Sequence, residues 1–282
     1  MVEGEESSMI TIAIANQKGG VGKTATSASL AAELAINGYR TLMIDADPQS
    51  NLTGTFLPVE LITTSLSEIL LTEPKSIPPK ISAKALATEI VGLDIVPSTI
   101  SLAKFDREPG ESMANLADAL QDIENDYDFV IIDTPPHFGL LLSAALMAAD
   151  FVLVPVMPAP YALQGLEDLL EVIGKVRKYK RNLKILGAVC TKFDKRTRIS
   201  KNSLAELKQI SAEANFPVFD SIIHEDTKLE ASSGEKKPIQ LHDATARSAE
   251  EYASLAVEIL ERLNLSATAS SDAKLKLVSG NK

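Results

Sequence analysis

At 282 residues and 45 % hydrophobic content, with no apolar run near the roughly 18 residues of a membrane span, the chain suits one cytosolic α/β domain with a sizeable core. Its single cysteine, Cys190, excludes an intrachain disulfide or a cysteine-based metal site within one chain, and the acidic, polar start from Met1 to Met9 excludes a signal peptide. A net charge of −10 and a pI of about 4.9 argue against nucleic acid as a partner of the whole surface, since phosphate contacts need Lys and Arg, and leave only a local basic patch for that role.

Residues 1–9 are expected to be a disordered leader to a single domain over 10–264. Ile10 to Ala15 mixes β-branched and small residues and reads as a buried strand. Ala25 to Asn37, rich in Ala and Leu at helical spacing, reads as a helix that stops near Gly38. Between them lies Ala15-Asn16-Gln17-Lys18-Gly19-Gly20-Val21-Gly22-Lys23-Thr24. Strand, glycine loop and a helix opening at Lys-Thr are what a phosphate-binding loop requires. Glycines let backbone N–H groups turn inward around phosphate oxygens, Lys23 meets the β and γ phosphates, and the Thr24 hydroxyl is placed for Mg²⁺. The nucleotide candidates are therefore Gly19, Gly20, Val21, Gly22, Lys23, Thr24 and Ala25. The regular motif asks for glycine where Gln17 stands, and a second lysine, Lys18, opens the loop instead.

Arg40 to Ile44 reads as a second strand ending at Asp45-Ala46-Asp47-Pro48-Gln49. A β-α-β unit of this length implies a right-handed crossover, which brings these carboxylates beside the glycine loop. Asp45 and Asp47 share a side of the extended chain, and Pro48 keeps Asp47 extended. Asp45 is a candidate for Mg²⁺ or for loop geometry. Short helices are expected at Ser65–Leu71 and Ala83–Ile90, with Pro74, Pro78 and Pro79 breaking the chain between them. Leu93 to Val96 reads as a strand, Pro-Gly within 107–111 as a turn, and Glu111–Glu124 as a helix with Met113, Leu116, Leu120 and Ile123 on one face.

Asp128-Phe129-Val130-Ile131-Ile132-Asp133-Thr134-Pro135-Pro136 is an apolar run that ends in a carboxylate, as a strand delivering Asp133 towards Mg²⁺ would be. Gly139 to Ala149 reads as a small-residue helix, suited to a switch that senses a γ-phosphate. Phe151–Val156 is a core strand and Ala162–Tyr179 a long helix, whose basic end from Lys175 to Lys184 is ordinary dipole compensation. Ile185–Cys190 follows as a strand, with Cys190 a small buried residue, and leads into Thr191-Lys192-Phe193-Asp194. Lys195 to Lys201 is the most basic short window in the chain. Ser203–Ala214 reads as a helix, Pro217–Ile223 as a strand, His224–Leu229 as a loop and Arg247–Leu263 as a closing helix. Residues 265–282 are Ser-, Ala- and Lys-rich without apolar periodicity and are expected to be disordered.

The segment Lys18-Gly19-Gly20-Val21-Gly22-Lys23-Thr24 resembles the deviant Walker A motif of the ParA/MinD family of ATPases, and the resemblance runs over about residues 9–263 with three motifs in order. It is closest to Soj-like chromosomal partition proteins. It implies a P-loop NTPase fold of the α/β class, with a mostly parallel central sheet and helices on both faces, binding ATP and Mg²⁺. In such proteins the extra lysine, here Lys18, crosses a dimer interface to the nucleotide of the other subunit. The second aspartate of Asp-x-Asp-Pro-Gln, here Asp47, positions the attacking water, so the implied catalytic set is Lys18, Lys23 and Asp47. Thr24, Asp45 and Asp133 form the implied metal set. Lys192 stands where the family packs a residue along the adenine. His224 and Asp226 lie in the loop that borders the base, in which His224 and Glu225 stand in place of the family's Pro and Arg. Arg196 matches the arginine of the family's Asp-x-Arg-Thr segment, which binds DNA without sequence preference, and Lys228 matches its second basic position. Arg198, Lys201, Lys236 and Lys237 extend that set.

The partners so implied are a second copy in the presence of ATP, non-specific DNA, and a ParB-like adaptor that stimulates slow hydrolysis, in a cytoplasmic protein associated with the nucleoid. Only nine residues precede the first strand, so the N-terminal helix-turn-helix of larger plasmid partition ATPases is not expected. A relative that positions another cargo, such as a carboxysome or a chemoreceptor cluster, would share every motif. A MinD-like membrane ATPase would need a basic amphipathic helix near the C-terminus. Lys274–Val278 is too short for one, and Arg247–Leu263 carries Glu250, Glu251, Glu258 and Glu261. Iron–sulfur relatives need paired cysteines, and a metabolic P-loop ligase or synthetase would leave Lys18 no partner chain to serve.

Overall fold

The computed structural model describes residues 9–72, 80–159 and 164–266. The expected leader up to residue 8, the prolines at 74, 78 and 79, the start of the Ala162–Tyr179 helix, and the tail beyond 266 lie outside the described residues. The strands are β1 (Ile10–Ile14), β2 (Thr41–Asp45), β3 (Leu86–Ala87), β4 (Leu93–Val96), β5 (Phe129–Asp133), β6 (Phe151–Val156), β7 (Lys184–Phe193) and β8 (Val218–His224). They join in one sheet of order β3-β4-β2-β5-β1-β6-β7-β8, parallel throughout except for β3 against β4. The helices are α1 (Lys23–Ile36), α2 (Asn51–Phe56), α3 (Ser67–Leu70), α4 (Asn115–Leu120), α5 (Leu140–Ala148), α6 (Gln164–Val176), α7 (Arg198–Glu213), α8 (Thr227–Gly234), α9 (Ile239–His242) and α10 (Arg247–Arg262).

Alternation along each strand sorts the apolar side chains into two layers. Ile12, Ile14, Met43 and Ile131 pack with α1, α9 and α10 on one face. Leu42, Ile44, Val130 and Ile132 pack with α3, α4 and α5 on the other, where Ala13, Ala15, Val152 and Val154 meet α6. Burial on both faces is why β2 and β5 are continuous apolar runs rather than alternating ones. Alanines at 28, 31, 32 and 35 let α1 lie close against the sheet. No helix among the described residues is long and apolar enough to cross a membrane, and α10 buries Tyr252, Leu255 and Ile259 in the core.

Three expectations are corrected. Residues 83–90 do not form a helix: a 3-10 turn at Ile81–Lys84 gives way to β3, which gains an antiparallel edge on β4, while Gly92 turns the chain at φ 81°. The helix expected from 111 to 124 is broken into a 3-10 turn (Gly110–Ala114), α4 and a second 3-10 turn (Gln121–Ile123). Leu116, Leu120 and Ile123 are buried as their spacing requires, while Gly110 and Ser112, weak helix formers, begin the segment in a tighter coil. The segment after β8 winds into α8, because Asp226 accepts a hydrogen bond from Lys228 N at 3.0 Å and acts as its N-cap.

One close approach locks β7, β8 and α10 together. The Arg262 guanidinium lies 3.8 Å from the centre of the Phe219 ring and donates to Leu186 O at 3.1 Å and Val218 O at 2.9 Å. A Cβ on Gly187 would stand 2.6 Å from both Arg262 Nη1 and Phe219 Cε2. Gly187→Ala is expected to cost about 1–3 kcal/mol by overpacking, a fall of several degrees in melting temperature. A thermal melt that matches the parent protein would show that this stack yields freely.

Candidate active site

The loop between β1 and α1 is held in shape by its own flanks. Asn16, buried, donates from Nδ2 to Pro155 O at 2.7 Å and accepts Lys18 N on Oδ1 at 3.0 Å, which fixes the start of the loop to β6. On the far side the Thr191 hydroxyl, near the end of β7, donates to Val21 O at 2.8 Å. Gly20 and Gly22 take left-handed backbone angles, φ 75° and 85°, and Gly22 starts α1 with no side-chain cap. The first N–H groups of α1 therefore lack side-chain partners, and a Cβ on Gly19 or Gly20 would meet nothing within 4 Å. That is an open cradle of donors for an anion.

Lys23 lies inside this loop at 7 % exposure, with Nζ 3.4 Å from Lys18 O. Burial lowers its pKa, against the attraction of Asp133 and Asp47. Asp133, at the end of β5, is fully buried; it accepts the Thr24 hydroxyl on Oδ2 and the Ser27 hydroxyl on Oδ1, both at 2.8 Å. Burial pushes its carboxyl up to about 6, opposed by those two hydroxyls and by Lys23. Thr24 and Asp133 together offer the hard oxygen donors of an Mg²⁺ site that also uses phosphate oxygens and water.

Asp45 is the register partner of Asp133 across β2 and β5, and burial followed by that neighbour pushes it up to about 7. Its oxygens accept Thr53 N at 2.8 Å, Thr53 Oγ1 at 2.7 Å and Asp47 N at 3.1 Å. Of its two expected roles, this geometry matches the holding of the loop: Asp45 fastens the turn after β2 to the start of α2. Asp47 instead reaches the cleft wall, where Oδ1 accepts Gln49 N at 2.9 Å.

The cleft over the loop has a volume of about 640 Å³. Besides the loop and Asp47, its walls include Lys192, His224, Asp226, Lys236 and Lys237. Lys192 takes a left-handed backbone, φ 49°, at the end of β7. Glu251 holds His224 through its backbone N–H at 2.8 Å and Nδ1 at 2.7 Å, while Phe193 meets the ring edge-on. Of the expected nucleotide set, Gly19, Gly20, Gly22, Lys23, Thr24, Ala25, Lys192, His224 and Asp226 line this one opening, whereas Val21 is buried behind the loop and Lys18 is not part of the lining.

The basic set is not brought together in the same way. Arg196, Arg198 and Lys201 gather at the start of α7, Lys228 pairs with Asp243 at 2.6 Å on α8, and Lys236 and Lys237 stand in the cleft wall. The last pair, exposed on the turn between α8 and α9, thus also borders the nucleotide opening. Arg196 is 81 % exposed, yet it is bound on two nitrogens by Asp194 at 2.9 Å. Those hydrogen bonds hold the Asp194 carboxyl down at about 2. Sequence reasoning assigned no role to Asn16, Ser27, Thr53 or Glu251. Each has a partner distant in the chain, Pro155, Asp133, Ser98 and His224 respectively, so only the fold reveals them.

Residues 9–185 match the model of a family described as an AAA domain. The sporulation initiation inhibitor protein Soj of Bacillus subtilis is 37 % identical over 253 residues, 88 % of this chain and 97 % of the relative. A chromosome partitioning protein ParA of Caulobacter vibrioides is 37 % identical over 260 residues, 89 % of this chain and 94 % of the relative. Among solved structures, a cobyrinic acid a,c-diamide synthase from Mycobacterium smegmatis, with a bound ATP analog and magnesium, superposes with a TM-score of 0.75 at 30 % identity and covers 91 % of this chain and 96 % of its own.

Asp45 and Asp133 bind protons in the folded state that the unfolded chain releases near its ordinary value of 3.8. Their contribution to stability is therefore greatest at low pH and is lost as pH rises through about 6 and about 7. Asp133→Asn keeps partners for both hydroxyls and should flatten the nucleotide-free decline over that window by on the order of 2 kcal/mol. Urea midpoints across the window measure it; parallel curves for the variant and its parent would remove Asp133 as a cause.

Proposed function

The chain belongs to the ParA/MinD family of P-loop ATPases, and from that membership we propose a Soj-like partition ATPase that dimerises on ATP, holds DNA without sequence preference and lets go on hydrolysis. The observation that carries this reading is the division of labour between two lysines on one loop. Lys23 fills the loop interior, whereas the Lys18 ammonium, five residues earlier, makes no ion pair with any described residue. The described residues of a single chain give it no counter-charge. A second copy, docked face to face, would offer it the phosphates held by the partner's loop.

Mg-ATP supplies the scissile γ-phosphoryl group and a charge-neutralising cation. The chain's own groups then have distinct tasks. The α1 N–H groups and Lys23 would hold the phosphates, and Thr24 would offer its hydroxyl oxygen to the metal while its hydrogen still goes to Asp133. Asp47 holds the attacking water at the open side, and Lys18 of the other copy cancels developing charge. Each charge-assisted contact across the interface is worth about 1.5–3 kcal/mol, and symmetry doubles it. Loss of the γ-phosphate removes the clamp, so slow turnover acts as a timer, which a ParB-like adaptor would shorten.

For DNA the start of α7 is the favoured face. Basic residues at a helix N-terminus oppose its dipole, so Arg198 and Lys201 have no local reason to be there. Arg196 sits close enough to the segment after β8 to feel Glu225, and Lys228 stands three residues beyond Glu225 on α8, which supports the same reading. The Mycobacterium smegmatis structure favours a second reading, an ATP-dependent synthetase. That reading leaves both Lys18 and the α7 basic residues without a task.

With turnover blocked by Asp47→Ala, Mg-ATP should give a dimer by light scattering, and adding Lys18→Ala should weaken it about 10²- to 10⁴-fold. An undiminished dimer would reject the role of Lys18. DNA should be retained with ATP and not with ADP, less so at higher salt, and Arg196→Glu should abolish retention while the dimer persists. Retention that ignores the nucleotide, or its absence with a stable ATP dimer, would favour the synthetase reading.

A further inference from the structure

Two loops face the nucleotide cleft, one after β2 and one after β5, and both are fastened to the same stretch of chain. On the first, Thr53 donates to Asp45 and its Oγ1 accepts Ser98 N at 2.8 Å, just beyond β4. On the second, Asp106 reaches the segment that leads from Asp133 to α5. Its Oδ1 accepts Leu141 N at 3.1 Å and its Oδ2 lies 2.9 Å from His137 Nε2. Gly139 precedes α5 with no side-chain cap of its own, so Asp106 provides from outside the acceptor that a helix start needs. The approach is close: a Cβ on Gly139 would stand 2.5 Å from Asp106 Oδ1.

Residues 98–107 form a single compact connector. Most of it is a 3-10 helix, Ile100–Arg107, and its Leu102 and Phe105 are fully buried in the cluster that also holds Leu141, Ala144 and Ala145 of α5. A rigid connector hydrogen-bonded at one end to Thr53 and at the other to the start of α5 transmits a displacement of either loop to the other. Ser98 Oγ, buried at the first joint, has no hydrogen-bond partner among the described residues. An unfilled buried hydroxyl marks a joint that has something to gain from a second arrangement.

We propose that residues 98–107 couple the two nucleotide-facing loops, and that Asp106 is the positioning residue which sets the loop after β5 for hydrolysis. The proposal rests on the ATPase reading and goes beyond it by naming how the water-holding loop, which carries Asp47, and the loop behind Asp133 move together. Asp106 is not among the residues that line the cleft. It acts through Leu141 N and His137.

The test is steady-state ATP hydrolysis by the full chain, with nucleotide affinity and melting temperature measured on the same samples. Asp106→Ala is expected to lower kcat about five- to tenfold while the affinity for ATP stays within about twofold, because the glycine loop is pinned separately by Asn16 and Thr191. Asp106→Asn keeps an oxygen for Leu141 N and should fall between the two. Thr53→Val cuts the other joint. If residues 98–107 couple the loops, the double variant loses clearly less than the product of the single losses. Should Asp106→Ala fail to fold, Asp106→Asn carries the same cycle. Multiplicative losses, an unchanged kcat, or a fall in kcat matched by loss of ATP affinity would each overturn the proposal. A parent protein that does not hydrolyse ATP would instead overturn the reading beneath it.

Discussion

A lysine held almost out of water inside a ring of backbone N–H groups is electrostatically incomplete, and the rest of the site follows from that. Among the described residues Lys23 has only a carbonyl at 3.4 Å as a direct partner, and its burial disfavours the charge it carries. The carboxylates within reach are turned to other donors: Asp133 to Thr24 and Ser27, Asp47 to Gln49 N. What completes the charge balance is an anion with several oxygens, seated where the open donors of α1 point. Asn16 and Thr191 bear on this because they hold the loop in its binding shape beforehand, so that little ordering remains when the anion arrives.

The parts of this arrangement that were legible in the sequence are those encoded locally. Strand, glycine loop and helix follow one another without interruption, so β1, the loop and α1 could be placed from residues 10–37 alone. The apolar runs that end in Asp45 and Asp133 are equally local, because a strand buried on both faces needs no partner to be recognised. Residues 83–90 were misread because an edge strand of two residues owes its form to β4, not to its own propensity. Likewise the contacts of Asp45 run to Thr53, eight residues further on, a pairing no local pattern announces. Lys236 and Lys237 look like surface charge until the α8–α9 turn is seen to carry them to the cleft.

The sheet order explains why so many of these contacts converge. β1 is central, flanked by β5 and β6, and the parallel arrangement brings the carboxyl ends of β1, β2, β5, β7 and β8 to one edge. Four of them contribute polar elements to the same opening, the glycine loop, Asp47, Lys192 and His224, while β5 sets Asp133 behind Thr24. The opposite edge, where the strands begin, supplies none of the cleft residues.

The Asp194–Arg196 pair has a further consequence. A phosphate approaching Arg196 meets a guanidinium that already has an internal anion on two of its nitrogens, and must displace that carboxylate or share the arginine with it. The arginine thus brings its own counter-ion, covalently attached, and releases little sodium or potassium when it engages a polyanion. Its share in the ionic-strength exponent of any such encounter is then fractional, and a plain count of positive residues on this face would overstate how steeply the encounter weakens with added electrolyte.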